Sequence, residues 1–299
     1  MKSPRKFPFA GLMFASVLIN LPGAPVALAQ DASSWDAQPH TASRLIAGVA
    51  SKNTTATFLH AGIEIKLDPG WRTYWRDPGD SGAPPTFDFS GSQNVKSVDV
   101  RWPAPERFPD GAGGNSIGYL DHVILPLRVV PQNAAKQTQL QVKLGYDICS
   151  NICIPVEADL KLPLGDDGAE EATIENAEIR VPRHVAVGQE PVKNAAAQDV
   201  SGESDHLAIL AVRRQPGDAH DRVVVDVAAP AGATVNLFAE GPTPDWSLPL
   251  PEQTGAQGNV RQFSFDLDGL PPDVQAKGAT LTLTAVSGDD AIEVAAHLD

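Results

Sequence analysis

The sequence predicts an all-β protein built as two sandwiches in tandem. Three observations carry this. Short apolar runs recur along most of the chain, many alternating polar with apolar. The segments between them are turn formers, such as Asp68-Pro69-Gly70 and Asp77-Pro78-Gly79-Asp80. Long helical periodicity is absent, and evenly spaced short strands are the pattern of a β-sandwich.

From the N-terminus, Lys2, Arg5 and Lys6 precede a mostly apolar stretch over 7–21, and Ala27-Leu28-Ala29 follows. A basic start, a short apolar core and a small-x-small end predict a cleaved export signal over 1–29. The apolar stretch is too short, and too broken by Pro8, Pro22 and Pro25, for a good membrane span. The remainder is expected to be a periplasmic protein that does not span the membrane. The chain carries a formal charge of −14, and residues 1–29 contribute only basic groups, so the rest is more acidic still. Such a charge repels nucleic acid and anionic membrane surfaces.

The first sandwich is expected over 30–168, with strands at 44–50, 57–67, 98–102, 122–130, 139–149 and 156–164. An acidic, Ala-rich linker follows over 169–205, with one short helix over 170–179 ended ahead of Pro182 and its charges forming a solvated face. The second sandwich is expected over 206–299. Phe263, Phe265 and Leu267 alternate there with polar neighbours, as do Leu281, Leu283 and Ala285 with threonines. This block holds no cysteine, no histidine cluster and no phosphate-binding glycine loop, so it is expected to take no part in the chemistry.

The only cysteines are Cys149 and Cys153, in Gly145-Tyr146-Asp147-Ile148-Cys149-Ser150-Asn151-Ile152-Cys153-Ile154-Pro155. In one straight strand, positions four apart lie about 13 Å from each other. A disulfide needs Cα atoms about 4.4–6.8 Å apart, so a bonded pair requires a turn, for which Ser150 and Asn151 are suited. The polar–apolar phase puts both cysteines with Asp147, Glu157 and Asp159, on the outer face of a hairpin. A structural disulfide is the ordinary fate of such a pair in an exported protein. Yet so short a loop contributes only about 2 kcal/mol by chain entropy, and a domain of this size hardly requires it. A metal site is the weaker alternative, because two thiolates need further ligands and the seven histidines show no ligand spacing. Asp147 shares a phase with Cys149, and no cation lies within three residues of either cysteine. The pair therefore reads as one attacked by a better nucleophile, with Cys153 the partner-facing sulfur beside apolar Ile154 and Pro155. Trp71, Tyr74 and Trp75 are expected in the core rather than on a contact surface.

Three ordered motifs resemble the N-terminal periplasmic domain of the DsbD family of thiol:disulfide interchange proteins, including its ScsB-like branch. They are Gly70-Trp71-Arg72-Thr73-Tyr74-Trp75-Arg76-Asp77-Pro78-Gly79-Asp80-Ser81-Gly82; Trp102-Pro103-Ala104-Pro105-Glu106-Arg107-Phe108 with Gly118-Tyr119 and Leu125-Pro126-Leu127; and the cysteine run 146–155. Together they cover about residues 40–165. The resemblance implies an immunoglobulin-like first sandwich and a redox pair at Cys149 and Cys153, with Cys153 forming the mixed disulfide. It implies partners of two kinds: thioredoxin-like periplasmic proteins, and a membrane electron-conducting protein on another chain, since the family's membrane conduit and thioredoxin-like domain are not in this sequence. No cofactor is implied. The alternatives are a non-catalytic binding module with a structural disulfide, or a metal-handling protein, since the ScsB-like branch implies a link to copper stress. The aromatic cap loop of some members has no counterpart in Asp110-Gly111-Ala112-Gly113-Gly114-Asn115-Ser116, so no Phe or Tyr lid is expected over the cysteines.

Overall fold

The computed structural model describes residues 31–52, 57–111, 113–165, 168–189, 206–217 and 219–299. The export signal expected over 1–29, and the part of the linker expected over 190–205, lie outside the described residues.

The first group of strands comprises β1 (Asp36–Gln38), β2 (Thr41–Lys52), β3 (Thr57–Leu67), β4 (Arg72–Gly79), β5 (Thr86–Asp88), β6 (Val95–Val100), β7 (Glu106–Pro109), β8 (Asn115–Leu120), β9 (His122–Pro131), β10 (Thr138–Cys149) and β11 (Cys153–Leu164). One sheet runs β1-β2-β3-β9-β6 and the other β11-β10-β4-β8-β7, with β5 also on β10. Alternate residues of both sheets meet in one core: Leu45, Ile63, Ile65, Leu125 and Leu127 from the first, Leu140, Val142, Leu144, Leu160 and Leu162 from the second. The result is the β-sandwich that the short strands predict, immunoglobulin-like as the resemblance implies.

Helix α1 (Glu171–Ile179) follows. It is no free linker segment. Ile174 and Ala177 pack on Ile46 and Ile124 of the first sandwich. Glu171 accepts the Val49 N–H at 2.6 Å and pairs with His60 at 2.6 Å.

The second group comprises β12 (Arg183–His184), β13 (Ala208–Gln215), β14 (Arg222–Ala228), β15 (Asn236–Glu240), β16 (Glu252–Gln257), β17 (Val260–Asp266), β18 (Thr280–Ser287) and β19 (Asp290–His297). Its sheets run β12-β19-β18-β15 and β13-β14-β17-β16. Val223, Val225, Phe263 and Phe265 pack against Leu281, Leu283, Ile292 and Val294 between them. The segment Arg183–His184, expected within the linker, instead adds a parallel edge strand to β19.

The two cores join among the described residues. Phe238, Val286 and Ala291 of the second sandwich belong to the same buried cluster as Trp75 of the first. No helix among the described residues is long and apolar enough to cross a membrane.

Candidate functional site

β10 and β11 pair in unbroken antiparallel register from Thr138↔Leu164 to Cys149↔Cys153. The turn Ser150-Asn151-Ile152 is closed by the Ser150 N–H donating to the Ile152 carbonyl at 3.0 Å. The two cysteines are thus directly opposite at the turn end of a long hairpin, with Cα atoms 4.1 Å apart, and their sulfurs are bonded.

The sulfurs differ in exposure. Cys153 is exposed, as are Asn151, Ile152 and Pro155 around it, and Ile152 reaches 65%. Cys149 is only 1% exposed. The expectation that both cysteines lie open on the outer face therefore needs correction for Cys149. Its phase is as expected, but that face is covered. β4 pairs with β10 through Arg72↔Cys149 and Thr73↔Ile148, so Arg72 and Tyr74 share the outer face with Cys149. Tyr74, 2% exposed, lies over the sulfur.

The Tyr74 hydroxyl donates to Cys149 Sγ at 2.9 Å and lies 3.7 Å from Cys153 Sγ. Burial pushes the Tyr74 phenol above its ordinary range, and the charges of Asp147 and Asp110 add to this against Arg72 and Ser116. The phenol therefore keeps its proton at neutral pH and serves as a donor. Its ring is held from below by Gly82, where a Cβ would stand 2.3 Å from ring carbons and φ is +101°. Only glycine suits both that space and that backbone. Thr73 ties the strands together by donating to the Asp147 carbonyl at 2.9 Å.

Two further points revise the reading of the sequence. No cation is near the cysteines along the chain, but Arg72 stands across from Cys149 on the neighbouring strand. Its guanidinium donates to the Pro109 carbonyl at 3.0 Å and lies over the Phe108 ring. The aromatic cover on the pair comes from β4, not from the loop 110–116, which lacks one. Of the three signature aromatics expected in the core, Trp75 is fully buried and Tyr74 nearly so, while Trp71 is half-buried and stacks on His40 with centroids 4.3 Å apart. Tyr74 as a contact to sulfur is what the pattern of the sequence missed. Its place in the first motif was visible, but the register of β4 on β10 was not.

This arrangement suits one kind of chemistry. It presents Cys153 on the surface and holds the Tyr74 hydroxyl against the buried Cys149 sulfur, the asymmetry that suits thiol–disulfide exchange. Among the described residues, no group of three or more His, Cys, Asp or Glu side chains is placed to hold a metal ion.

Residues 45–164 match the model of the family described as "Thiol:disulfide interchange protein DsbD, N-terminal", in line with the resemblance carried by the three motifs. No curated protein matches the chain. Among solved structures, the N-terminal periplasmic domain of ScsB from Proteus mirabilis is similar, with a TM-score of 0.65 and 21% identity, covering 90% of this chain and 98% of that one. At that identity the likeness is one of fold, and its coverage takes in both sandwiches.

Proposed function

We propose, from the family match over the first sandwich and the geometry of its hairpin, that this chain is a periplasmic thiol–disulfide interchange protein. It passes reducing equivalents between a membrane or thioredoxin-like donor and periplasmic oxidoreductases through a reversible Cys149–Cys153 disulfide. The observation that carries the reading is the asymmetry of the pair: one sulfur open to a partner, the other buried under a hydroxyl donor.

The exchange runs in two steps. A donor thiolate attacks Cys153 Sγ, forming a mixed disulfide as the Cys149–Cys153 bond breaks, and the bonding electron pair leaves on Cys149. The donor's second thiolate then attacks its own sulfur in the mixed disulfide and displaces Cys153. The donor ends as a disulfide and this chain as a dithiol. Reversing the steps with an oxidised client returns both electrons. The basic, apolar, small-residue start over 1–29 and the periplasmic origin of the ScsB domain support placement in the periplasm. A reduced thioredoxin-like protein mixed with the oxidised chain should transfer electrons to it, read by alkylation of new thiols and mass. A folded chain whose disulfide resists that donor and dithiothreitol alike would refute the proposal.

A further inference from the structure

The second sandwich, which holds no cysteine, touches the first through the strand that carries Tyr74. Arg76 Nε and Nη2 donate to the two carboxylate oxygens of Glu240 at 2.9 and 2.7 Å, and Nη2 also reaches Glu293. Glu240 ends β15, and Glu293 lies within β19, where it also pairs with His184 at 3.1 Å. The three side chains are only 26%, 20% and 11% exposed. Burial alone would lower the Arg76 pKa, but the bonds and charges of Glu240 and Glu293 raise it, so the guanidinium stays charged. Beside it, Trp75 packs on Phe238 with centroids 5.7 Å apart. Arg107 of β7 donates to the carbonyls of Leu237 and Pro251, each at 3.1 Å.

These contacts fall where β4 lacks support of its own. Its ladder to β8 is regular from Arg72 to Tyr74, then breaks until Gly79↔Ser116. Trp75 to Pro78 form the interruption, and the second sandwich grips that stretch. Tyr74 and Arg76 are two residues apart, about 7 Å along an extended chain. A bidentate guanidinium–carboxylate pair fixes direction as well as distance.

We infer that Arg76 is a positioning residue for thiol exchange: clamped by Glu240 and Glu293, it lets the second sandwich fix the end of β4 and so hold the Tyr74 hydroxyl on the Cys149 sulfur. The inference rests on the exchange reading above and gives the second sandwich a part in the chemistry that its sequence does not suggest. Arg76 touches neither sulfur. It acts through Tyr74.

The test is the rate at which dithiothreitol reduces the full-length oxidised protein, measured for wild type, R76Q, E240Q and Y74F, and for R76Q and E240Q each combined with Y74F. E240Q is the milder lesion, since it leaves Arg76 its contact with Glu293. R76Q and E240Q should each slow reduction several-fold while thermal unfolding of the first sandwich stays cooperative, and neither should slow it further in the Y74F background. R76K, which keeps the charge but not the fork, should recover part of the rate. Unchanged rates in both single variants would overturn the inference, as would effects that multiply with Y74F, because a clamp acting through Tyr74 has nothing to act on without the hydroxyl. Failure of the wild type itself to be reduced would instead refute the exchange reading and the inference with it, so the two failures are distinct.

Discussion

Replacing Tyr74 by phenylalanine removes one atom, the hydroxyl oxygen whose shortest contact is with the Cys149 sulfur. The ring is nearly fully buried and rests on Gly82, and phenylalanine refills the same space. What is lost is the donor 2.9 Å from Cys149 Sγ. A hydrogen bond to a charged acceptor contributes about 1.5–3 kcal/mol. In the transition state for attack on Cys153, the departing Cys149 sulfur carries roughly half of the negative charge it will bear as a thiolate. The lost stabilisation is then about 1 kcal/mol of barrier, or roughly a fivefold slower reduction at a tenfold per 1.36 kcal/mol. The disulfide form loses little, since a disulfide sulfur is a poor acceptor, so Y74F should also make the pair harder to reduce at equilibrium. Stopped-flow reduction by dithiothreitol at pH 7 reads the rate, equilibration in dithiothreitol redox buffers reads the equilibrium, and a thermal melt controls for folding. A rate within twofold of wild type, or a faster one, would refute the reasoning and leave Tyr74 as cover alone.

Other outcomes follow from the same geometry. C149A should trap a mixed disulfide with a thioredoxin-like protein lacking its resolving cysteine, whereas C153A should trap little because its remaining sulfur is buried; equal trapping, seen on a non-reducing gel, would reverse the roles. G82A should displace the Tyr74 ring and force a Cβ onto a backbone at φ +101°, costing about 1–3 kcal/mol of stability by urea unfolding and slowing reduction at least as much as Y74F. Glu64 tests acid sensitivity: burial would raise its pKa, but hydrogen bonds from Arg44 and His122, with the charges of Arg44 and Lys66, hold it below the ordinary value. A depressed folded pKa means a stabilising contribution present above the unfolded value of about 4.3 and lost as pH falls through the folded value. E64Q should therefore destabilise the protein by about 1–3 kcal/mol at pH 7, and the gap to wild type should close on titration towards pH 3.

Much of this was legible in the residues. Alternation located β10, β11, β17 and β18, where one face lies on a core and a period of two is enforced, while β3, β9 and β14 were visible as short apolar runs because successive side chains in them are buried. The cysteine hairpin was legible for the same reason, with its turn residues and phase. Less visible were strands whose pattern is set by neighbours. β4 carries three successive buried side chains, Thr73 to Trp75, since Tyr74 on the outer face is covered by Gly82 and Cys149 while Trp75 packs in the core against Phe238 of the second sandwich. β19 reads as a weak alanine-rich run, yet it lies inside its sheet. The covering of Cys149 could not be read locally, because it depends on Tyr74, far away in sequence, and on which residue of β4 faces which of β10. The expected linker failed to separate from the domains for a similar reason: Ile174 of α1 is fully buried only against Ile46 and Ile124.

The central claim is that the Cys149–Cys153 disulfide exists to be exchanged. Its reduction potential, obtained by equilibrating the full-length protein in glutathione or dithiothreitol buffers and quantifying free thiols, tests this most directly. A structural disulfide of an exported protein typically lies below about −300 mV, and exchanging pairs lie higher. The account predicts a value well above that boundary, moving lower in Y74F. A value below it, with no change in Y74F, would contradict the account and make the bond a static staple.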